Sequence, residues 1–458
     1  MQARRDLPLP RIDRDLLRFA LRRPPRWFWW SALVLGALLG AAVLAEAAMV
    51  VVGLQLLGLT NTVYWAVLIT NFVFWVGISH AGVMISAILR LTHAEWRRPI
   101  TRAAEVLAIF SLVTAGLFPL IHTGRVWRTL YWIYPYDFAR DVWPSVRSAL
   151  IWDPSAIVTY LTATVLFVYV GLIPDLAAAR DRAGGWPRAV YGALALGFRG
   201  TTRQWRIQKV AGQLLAALIL PVFVSVHSIV AWDFSMAVVP AWHSTVFAPY
   251  FVVGAVHSGV AGVVTTTVAL RWALGLRDYV TREHLDALGR LQVVVVLGYV
   301  FFFLLDLYFG LFARDANQLR IWELRALTPP TSWLFYLQLA TTILIPLPLL
   351  FFRRVRRSFA WMFATSIVVN VGMWLERYLL VVTPLNYKQP FTYTWVEPYV
   401  PRPAEYALTF GGLALVAAGL LAFAKLLPIV PVAEVKEGQV AARNLAIGRA
   451  HVPATFHQ

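Results

Sequence analysis

Side chains able to accept or pass a proton recur where apolar stretches end. "GLFPLIHTGR" carries His122 and Arg125, and "LIWDPSAIVTY" carries Trp152 and Asp153. "SVHSIVAWDF" carries His227, Trp232 and Asp233, and "WHST" adds His243. An imidazole and a carboxylate held at one boundary can take two protons from a donor whose electrons leave by another route, because imidazole titrates near the operating pH. Trp152, Trp232 and Phe234 are flat enough to wall a planar ring. Asp153 also has a structural reading. In "WDPS" it stands just before a proline, a common helix start, where aspartate caps free N–H groups.

Two further histidines lie deep in apolar runs and share one template. "FWVGISHAG" holds His80 and "FVVGAVHSG" holds His257, 177 residues later. A glycine three residues before and two after each histidine lets a neighbouring helix come close, which turns the imidazole into a bundle. Three roles fit such a histidine: a neutral hydrogen-bonded strut, a proton relay, or a haem ligand. Haem ligation usually takes facing pairs on two helices, whereas His80, His122, His227 and His257 fall on four different runs. Other titratable groups stand within runs: Glu46, Glu105, Asp306 beside Tyr308, and the adjacent Glu376 and Arg377. They suit either pairing between helices or a charge pathway. Neighbours in sequence leave a helix on different faces, so Glu376 and Arg377 are each expected to need a separate partner.

The elements that must position these groups are membrane helices. The chain is 59% hydrophobic and 14% charged, with mean hydropathy +0.64, against about 25% charged residues in soluble domains. Hydrocarbon offers a backbone no hydrogen-bond partner, so long apolar runs without strand alternation must be helical. Ten runs are expected, near 30–57, 61–91, 102–122, 154–178, 209–232, 245–271, 286–312, 332–352, 358–383 and 405–428. Of 41 Lys and Arg residues, 31 fall on the side of the N-terminus, 9 on the other, and Arg377 within a run. That bias puts both termini in the cytoplasm, and the net charge of +18 reads as membrane topology rather than nucleic-acid binding. Eight arginines precede the first run without a small-residue cleavage site, which suits a retained cytoplasmic segment over residues 1–29. The expected domains are a membrane domain over 30–428 and a cytoplasmic tail over 429–458. His80 and His257 fall on the second and sixth helices, both running from outside to inside. The expected fold is therefore all-α, with parallel-repeat four-helix bundles over 61–232 (helices 2–5) and 245–383 (helices 6–9), flanked by helices 1 and 10. The outer loops over 123–153 and 383–405 are rich in Trp, Tyr and Pro and read either as an interfacial belt or as a docking surface. With no cysteine, the chain itself can supply no thiolate for an iron–sulfur cluster, no c-type haem attachment and no disulfide.

Several stretches together resemble a known family. They are "NFVFWVGISHAGVMISAILRL", "GLFPLIHTGR", "WDPSAIVTYL", "GLIPDLAAARDR", "SVHSIVAWDFSMAVVPAWHSTVFAPYFVVGA" and "TSIVVNVGMWLERYLLVVTPL". They resemble the NrfD/PsrC family of membrane quinone-binding subunits and, within it, the membrane subunits of the bacterial alternative complex III. The likeness runs from about Trp29 to "LPIVPVAEVKE". It implies a haem-free, multi-pass subunit of the bacterial inner membrane that oxidises a quinol, menaquinol by preference. Electrons would pass to an extracytoplasmic iron–sulfur or molybdopterin-like subunit, then to c-type haem subunits and a terminal oxidase or soluble carrier. A homologous membrane subunit would stand beside it. Protons would leave outside, with coupled proton translocation. His122, Asp153 and Asp233 match the family's quinol site, and Arg125, Trp152, His227, Trp232 and His243 would line it. His80, Glu376 and Arg377 fall in matching stretches, and with His257, Asp306 and Glu105 they are the candidate proton path. The loops "DFARDVWPSVRSALI" and "LNYKQPFTYTW" depart from the family's usual forms. From the residues alone, a purely structural anchor for redox subunits and a secondary transporter stay open. The transporter reading calls for unwound Gly/Pro breaks in corresponding helices.

Overall fold

The computed structural model describes residues 7–128, 141, 143, 149–237, 239–244, 246–387, 399–441, 444–447 and 450–453. Among these, ten helices are long and apolar enough to cross a membrane. They are α1 (Arg26–Val52), α2 (Ala66–Leu91), α3 (Thr101–His122), α4 (Ala149–Arg180), α5 (Thr202–Ser235), α6 (Phe247–Leu274), α7 (Arg282–Phe312), α8 (Thr331–Phe351), α9 (Phe359–Leu385) and α10 (Pro403–Leu426). The all-α multi-pass fold is as expected. α1 stops short of its expected end because Gly53 has φ 101°, a backbone that glycine tolerates and a helix cannot continue. Shorter helices at Leu9–Leu21 and Val432–Ala441 lie outside the spans, and a small antiparallel hairpin pairs Asn444–Ile447 with Ala450–Pro453. Most of both aromatic loops falls outside the described residues.

The helices are unequally buried, and that sets the architecture. In α2 and α6, 83% and 78% of the apolar window is covered by protein, against 6% in α1. α2 touches α3, α5, α6 and α9, while α6 touches α2, α5, α7 and α9. α4 lies on α3 and α5, α8 on α9, and α1 on α10. Helices α2 to α5 thus cluster around α2, helices α6 to α9 around α6, and the two central helices stand back to back.

The template glycines explain this seam. A Cβ on Gly77 would meet Ala255 and Ser258 at 3.4–3.6 Å, and a Cβ on Gly259 would lie 2.2 Å from that of Ala81. The near-constant offset between contacting residues shows that α2 and α6 run parallel at matching depth. The other two template glycines serve different neighbours. A Cβ on Gly82 would lie 2.2 Å from the Ala104 carbonyl oxygen, and one on Gly254 would lie 2.7 Å from Arg377 Nη2. Glycine at such a crossing replaces side-chain bulk with close backbone packing. Gly259→Val should therefore lower the thermal midpoint of the detergent-purified protein, by about 1–3 kcal/mol of overpacking or more. Gly36→Val, where nothing lies within 4 Å of the added carbon, should leave the midpoint unchanged. Equal midpoints for the two variants would show that the α2–α6 seam yields freely.

α8 is interrupted. A π turn over Ala340–Leu344 precedes Pro346. Proline has no N–H to offer the carbonyl four residues back, which here is that of Thr342. His257 Nε2 uses that carbonyl instead, at 3.2 Å.

One end of the bundle is closed by charge. Glu434, on the helix Val432–Ala441, bridges Arg90 and Arg97 at 2.6 Å each. Burial pushes its carboxyl up, but Arg90, Arg97 and Arg102 outweigh this and hold it below the usual range. Asp13 binds Lys436 at 2.5 Å and also Arg182. Beneath this lid, inside the spans, Arg102 reaches Glu105 at 3.4 Å, Asp175 at 3.2 Å and the Gly171 carbonyl at 2.8 Å.

Candidate functional site

At the end opposite the charged lid, α4 and α5 bring two carboxyl groups together. α4 begins at Ala149, so Asp153 lies inside the helix and is not its N-cap, contrary to the structural reading of "WDPS". Its Oδ1 is buried, and no N–H or O–H donor among the described residues reaches it. Asp233 sits in the last turn of α5 with both oxygens equally bare. The two carboxyls face each other within hydrogen-bonding range. A hydrogen bond between two carboxyls requires a proton held between them, since two bare carboxylates in contact repel strongly.

His122 ends α3 at the same end of the bundle. Its Nδ1 is buried without a partner, and the indole of Trp65 meets the ring edge-on at 5.9 Å. Packing of α3 on α4, with Gly116 against Ile157, sets the last turn of α3 beside the first turns of α4. Trp152 is partly buried next to Asp153. Arg125 is exposed, Trp232 is 50% exposed on α5, and the exposed His243 donates from Nδ1 to the Ser235 carbonyl at 2.8 Å. These three stand at the rim. His227 does not join the pair but lies deeper, in the core.

That core holds a second constellation. His80 is fully buried, donates from Nδ1 to the Val76 carbonyl, and is covered by the stacked ring of Tyr160 at 4.7 Å. His227 meets it edge-on at 4.9 Å. With those two rings in direct contact and Tyr160 over the face of His80, no slot for a haem lies between them. His80 Nε2 and both ring nitrogens of His227 have no hydrogen-bond partner. Phe251 follows His227 at 5.6 Å, and the Arg377 guanidinium lies 4.1 Å over Phe251. Arg377 also pairs with its own neighbour Glu376, at 3.2 Å. This corrects the expectation that each needs a separate partner. Successive Cβ atoms diverge by about 100°, but both side chains are long enough to curl together. Among the described residues no other ion pair reaches either of them.

His257 is in a different state from its template partner. Gln292 Nε2 donates to its Nδ1 at 2.6 Å, and its Nε2 donates to Thr342. Both nitrogens are satisfied, which is the strut role, while His80 keeps an open nitrogen. Near the α7–α9 ends at the carboxyl-pair end, a cavity of about 30 Å³ is lined by Ser244, Tyr250, Asp306, Arg325, Gln338 and Glu376. It has room for a water molecule, and Ser244 Oγ, Arg325 Nε and Glu376 Oε2 lack other partners there. Glu105 is at the opposite end, bonded to Ser86 and Arg102. Among the described residues no three His, Asp or Glu side chains form a metal-holding group. Sequence reasoning passed over Trp65, Tyr160, Gln292, Arg102 and Asp175. A polar or aromatic residue at helical spacing from a singled-out histidine was the available signal for Tyr160.

The chain is similar to two curated proteins that are themselves parts of reductases. One, from Halobacterium salinarum, is named as the C-type membrane component of a putative dimethyl sulfoxide reductase. It is 26% identical over 404 residues, covering 82% of this chain and 86% of that protein. The other is the C subunit of the selenate reductase of Mesobacillus selenatarsenatis, 23% identical over 219 residues, covering 46% and 49%. The family model described as polysulphide reductase, NrfD, matches residues 55–387, a region that runs from the turn before α2 to the end of α9 and holds both the carboxyl pair and the histidine core, so the chain belongs to the NrfD family.

Proposed function

We propose that this chain is the quinol-oxidising membrane subunit of a bacterial respiratory oxidoreductase of the alternative complex III type. The observation that carries this reading is the facing pair Asp153 and Asp233. A quinol brings two hydroxyl donors. The site offers acceptors that no protein donor uses: Asp153 Oδ1, both oxygens of Asp233, and His122 Nδ1. Trp65 and Trp152 supply flat apolar walls beside them. The residues therefore fit the ligand. Oxidation to quinone releases two electrons and two protons. The carboxyl pair and His122 take the protons, and the electrons pass to an iron–sulfur centre of a partner protein. The lysine and arginine bias places this end outside the cytoplasm, so protons are released there. Menaquinol is the preferred donor.

The relatives' names support membership in a redox complex, with an extracytoplasmic iron–sulfur or molybdopterin-like subunit docked over the aromatic loops. Haem-bearing c-type subunits and a terminal oxidase or soluble carrier take the electrons onward, and a homologous membrane subunit stands alongside. Helices α2 to α5 and α6 to α9 read as duplicates of one four-helix unit, with α1 and α10 added. In the proton path of this reading, His80 and His227 link the carboxyl pair to Arg377 and Glu376. Asp306 serves the exit cavity, Glu105 the cytoplasmic side, and His257 holds α6 to α7 and α8.

The test is a dithionite-minus-air spectrum of the full chain in mild detergent, with quinone extracted from the same sample. The expected result is no haem α-band and a bound quinone. A stoichiometric α-band would overturn the reading. Absence of both would favour a haem-free anchor for the redox partners.

A further inference from the structure

At the charged end, a cavity of about 650 Å³ opens between the α2–α3 turn, the α6–α7 turn and the start of α9. It is separate from the carboxyl pair and plays no part in the mechanism above. Arg271, Arg277 and Arg282 line it, with Trp96 and Phe359. Arg271 is fixed in place. Its Nε donates to the Val280 carbonyl at 2.9 Å, and its guanidinium lies 3.6 Å over the Phe359 ring. The charges of Arg277 and Arg282 bear directly on it. Neither Arg277 nor Arg282 has a salt-bridge partner among the described residues.

The acidic groups of the wall do not cancel this charge. Asp278 is held by Arg11 at 2.7 Å, and Glu95 is held by Arg98 at 2.8 Å. Glu283 alone remains, exposed, against three guanidiniums. α7 begins at Arg282, so its positive end adds to the same field. Three cations kept together without counter-charge around a hollow make an anion site, and guanidinium groups match the paired oxygens of a phosphate.

The level of the cavity selects the source of that phosphate. On the turns of α6 and α9 that border it, Trp272 and Trp361 are 49% and 55% exposed. Exposed tryptophans at span ends mark the headgroup layer. We propose that this cavity binds the phosphate headgroup of an anionic phospholipid, with Arg271, Arg277 and Arg282 on the phosphate oxygens and the acyl chains running out past Trp272 and Trp361. Basic recesses between helices on the cytoplasmic side are suited to such headgroups.

The experiment is native mass spectrometry of the full chain released from nanodiscs of phosphatidylcholine containing a minority of phosphatidylglycerol. The wild type should retain phosphatidylglycerol selectively. The double variant Arg277→Gln/Arg282→Gln should retain it roughly 30-fold less, with its thermal midpoint unchanged. Arg353→Gln/Arg354→Gln, on the same basic face but outside the cavity, should behave as wild type. Equal retention of the two lipids by the wild type would overturn the proposal, as would an equal loss in the Arg353/Arg354 control. A soluble source is separated by calorimetry in nanodiscs of phosphatidylcholine alone. Micromolar binding of inorganic phosphate or ATP that depends on Arg277 and Arg282 would assign the site to a soluble phosphate instead and overturn the lipid assignment.

Discussion

Asp153→Asn should lower quinol-linked electron transfer by about 10³-fold while the complex still assembles. Loss of a positioned proton acceptor typically costs 10²–10⁴-fold. Asparagine keeps the size of aspartate and can still accept a hydrogen bond, but it cannot take up a proton. It also relieves the carboxyl–carboxyl contact with Asp233, because its amide N–H₂ can donate to the facing carboxylate. The thermal midpoint of the variant should therefore hold or rise. Activity and stability moving in opposite directions is the signature of a site, since a structural pair would lose both. The measurement is turnover of a reduced short-chain quinol with a soluble electron acceptor, paired with a melting curve of the same preparation. Wild-type turnover would remove Asp153 from the mechanism. His122→Gln gives the companion outcome: weaker turnover through loss of the open Nδ1, with the carboxyl pair left in place.

Some of this was legible in the residues, and the boundary between what was and was not has physical causes. The ten spans could be read because hydrocarbon demands uninterrupted apolar helix, and the observed bounds fall close to the expected ones. The glycine template announced a close approach. It did not say that Gly77 and Gly259 face the opposing central helix while Gly82 and Gly254 face α3 and Arg377, because the partner depends on how each helix is rotated. The same ignorance of rotation hid the contact of Asp153 with Asp233, which spacing could only place at one end of the bundle. His80 and His257 look equivalent in sequence. Pro346 separates them, by freeing the Thr342 carbonyl for His257, and that requires knowing that α8 lies there. Arg102 counts as a loop arginine by position, whereas its side chain is 2% exposed. A charge at a span end can turn inward, and only its partners reveal which way it goes. The outer loops, where partner contacts are expected, lie mostly outside the described residues, so the proposed docking side rests on topology.

Arg102→Met should be among the most damaging single changes outside the quinol site. The guanidinium lies between two carboxylates, Glu105 and Asp175, which are 3% and 1% exposed. Removing it strands both in a low-dielectric interior, a change that typically costs about 3–5 kcal/mol. The effect should show as a loss of monodisperse protein in fluorescence-detected size exclusion and a marked fall in thermal midpoint. Arg102→Lys should fall between, because an ammonium cannot reproduce the forked contacts to Asp175 and the Gly171 carbonyl. The triple variant Arg102→Met/Glu105→Gln/Asp175→Asn separates the causes. Replacing a buried ionic group as a whole is often neutral, so the triple variant should recover most of the lost stability. If it does, its activity then becomes informative. Electron transfer without proton movement across the membrane would place Glu105 on the cytoplasmic arm of the path, and full proton movement would confine the triad to holding α3 against α4. A single Arg102→Met variant as stable as wild type would mean that the two carboxyls carry no charge for it to balance.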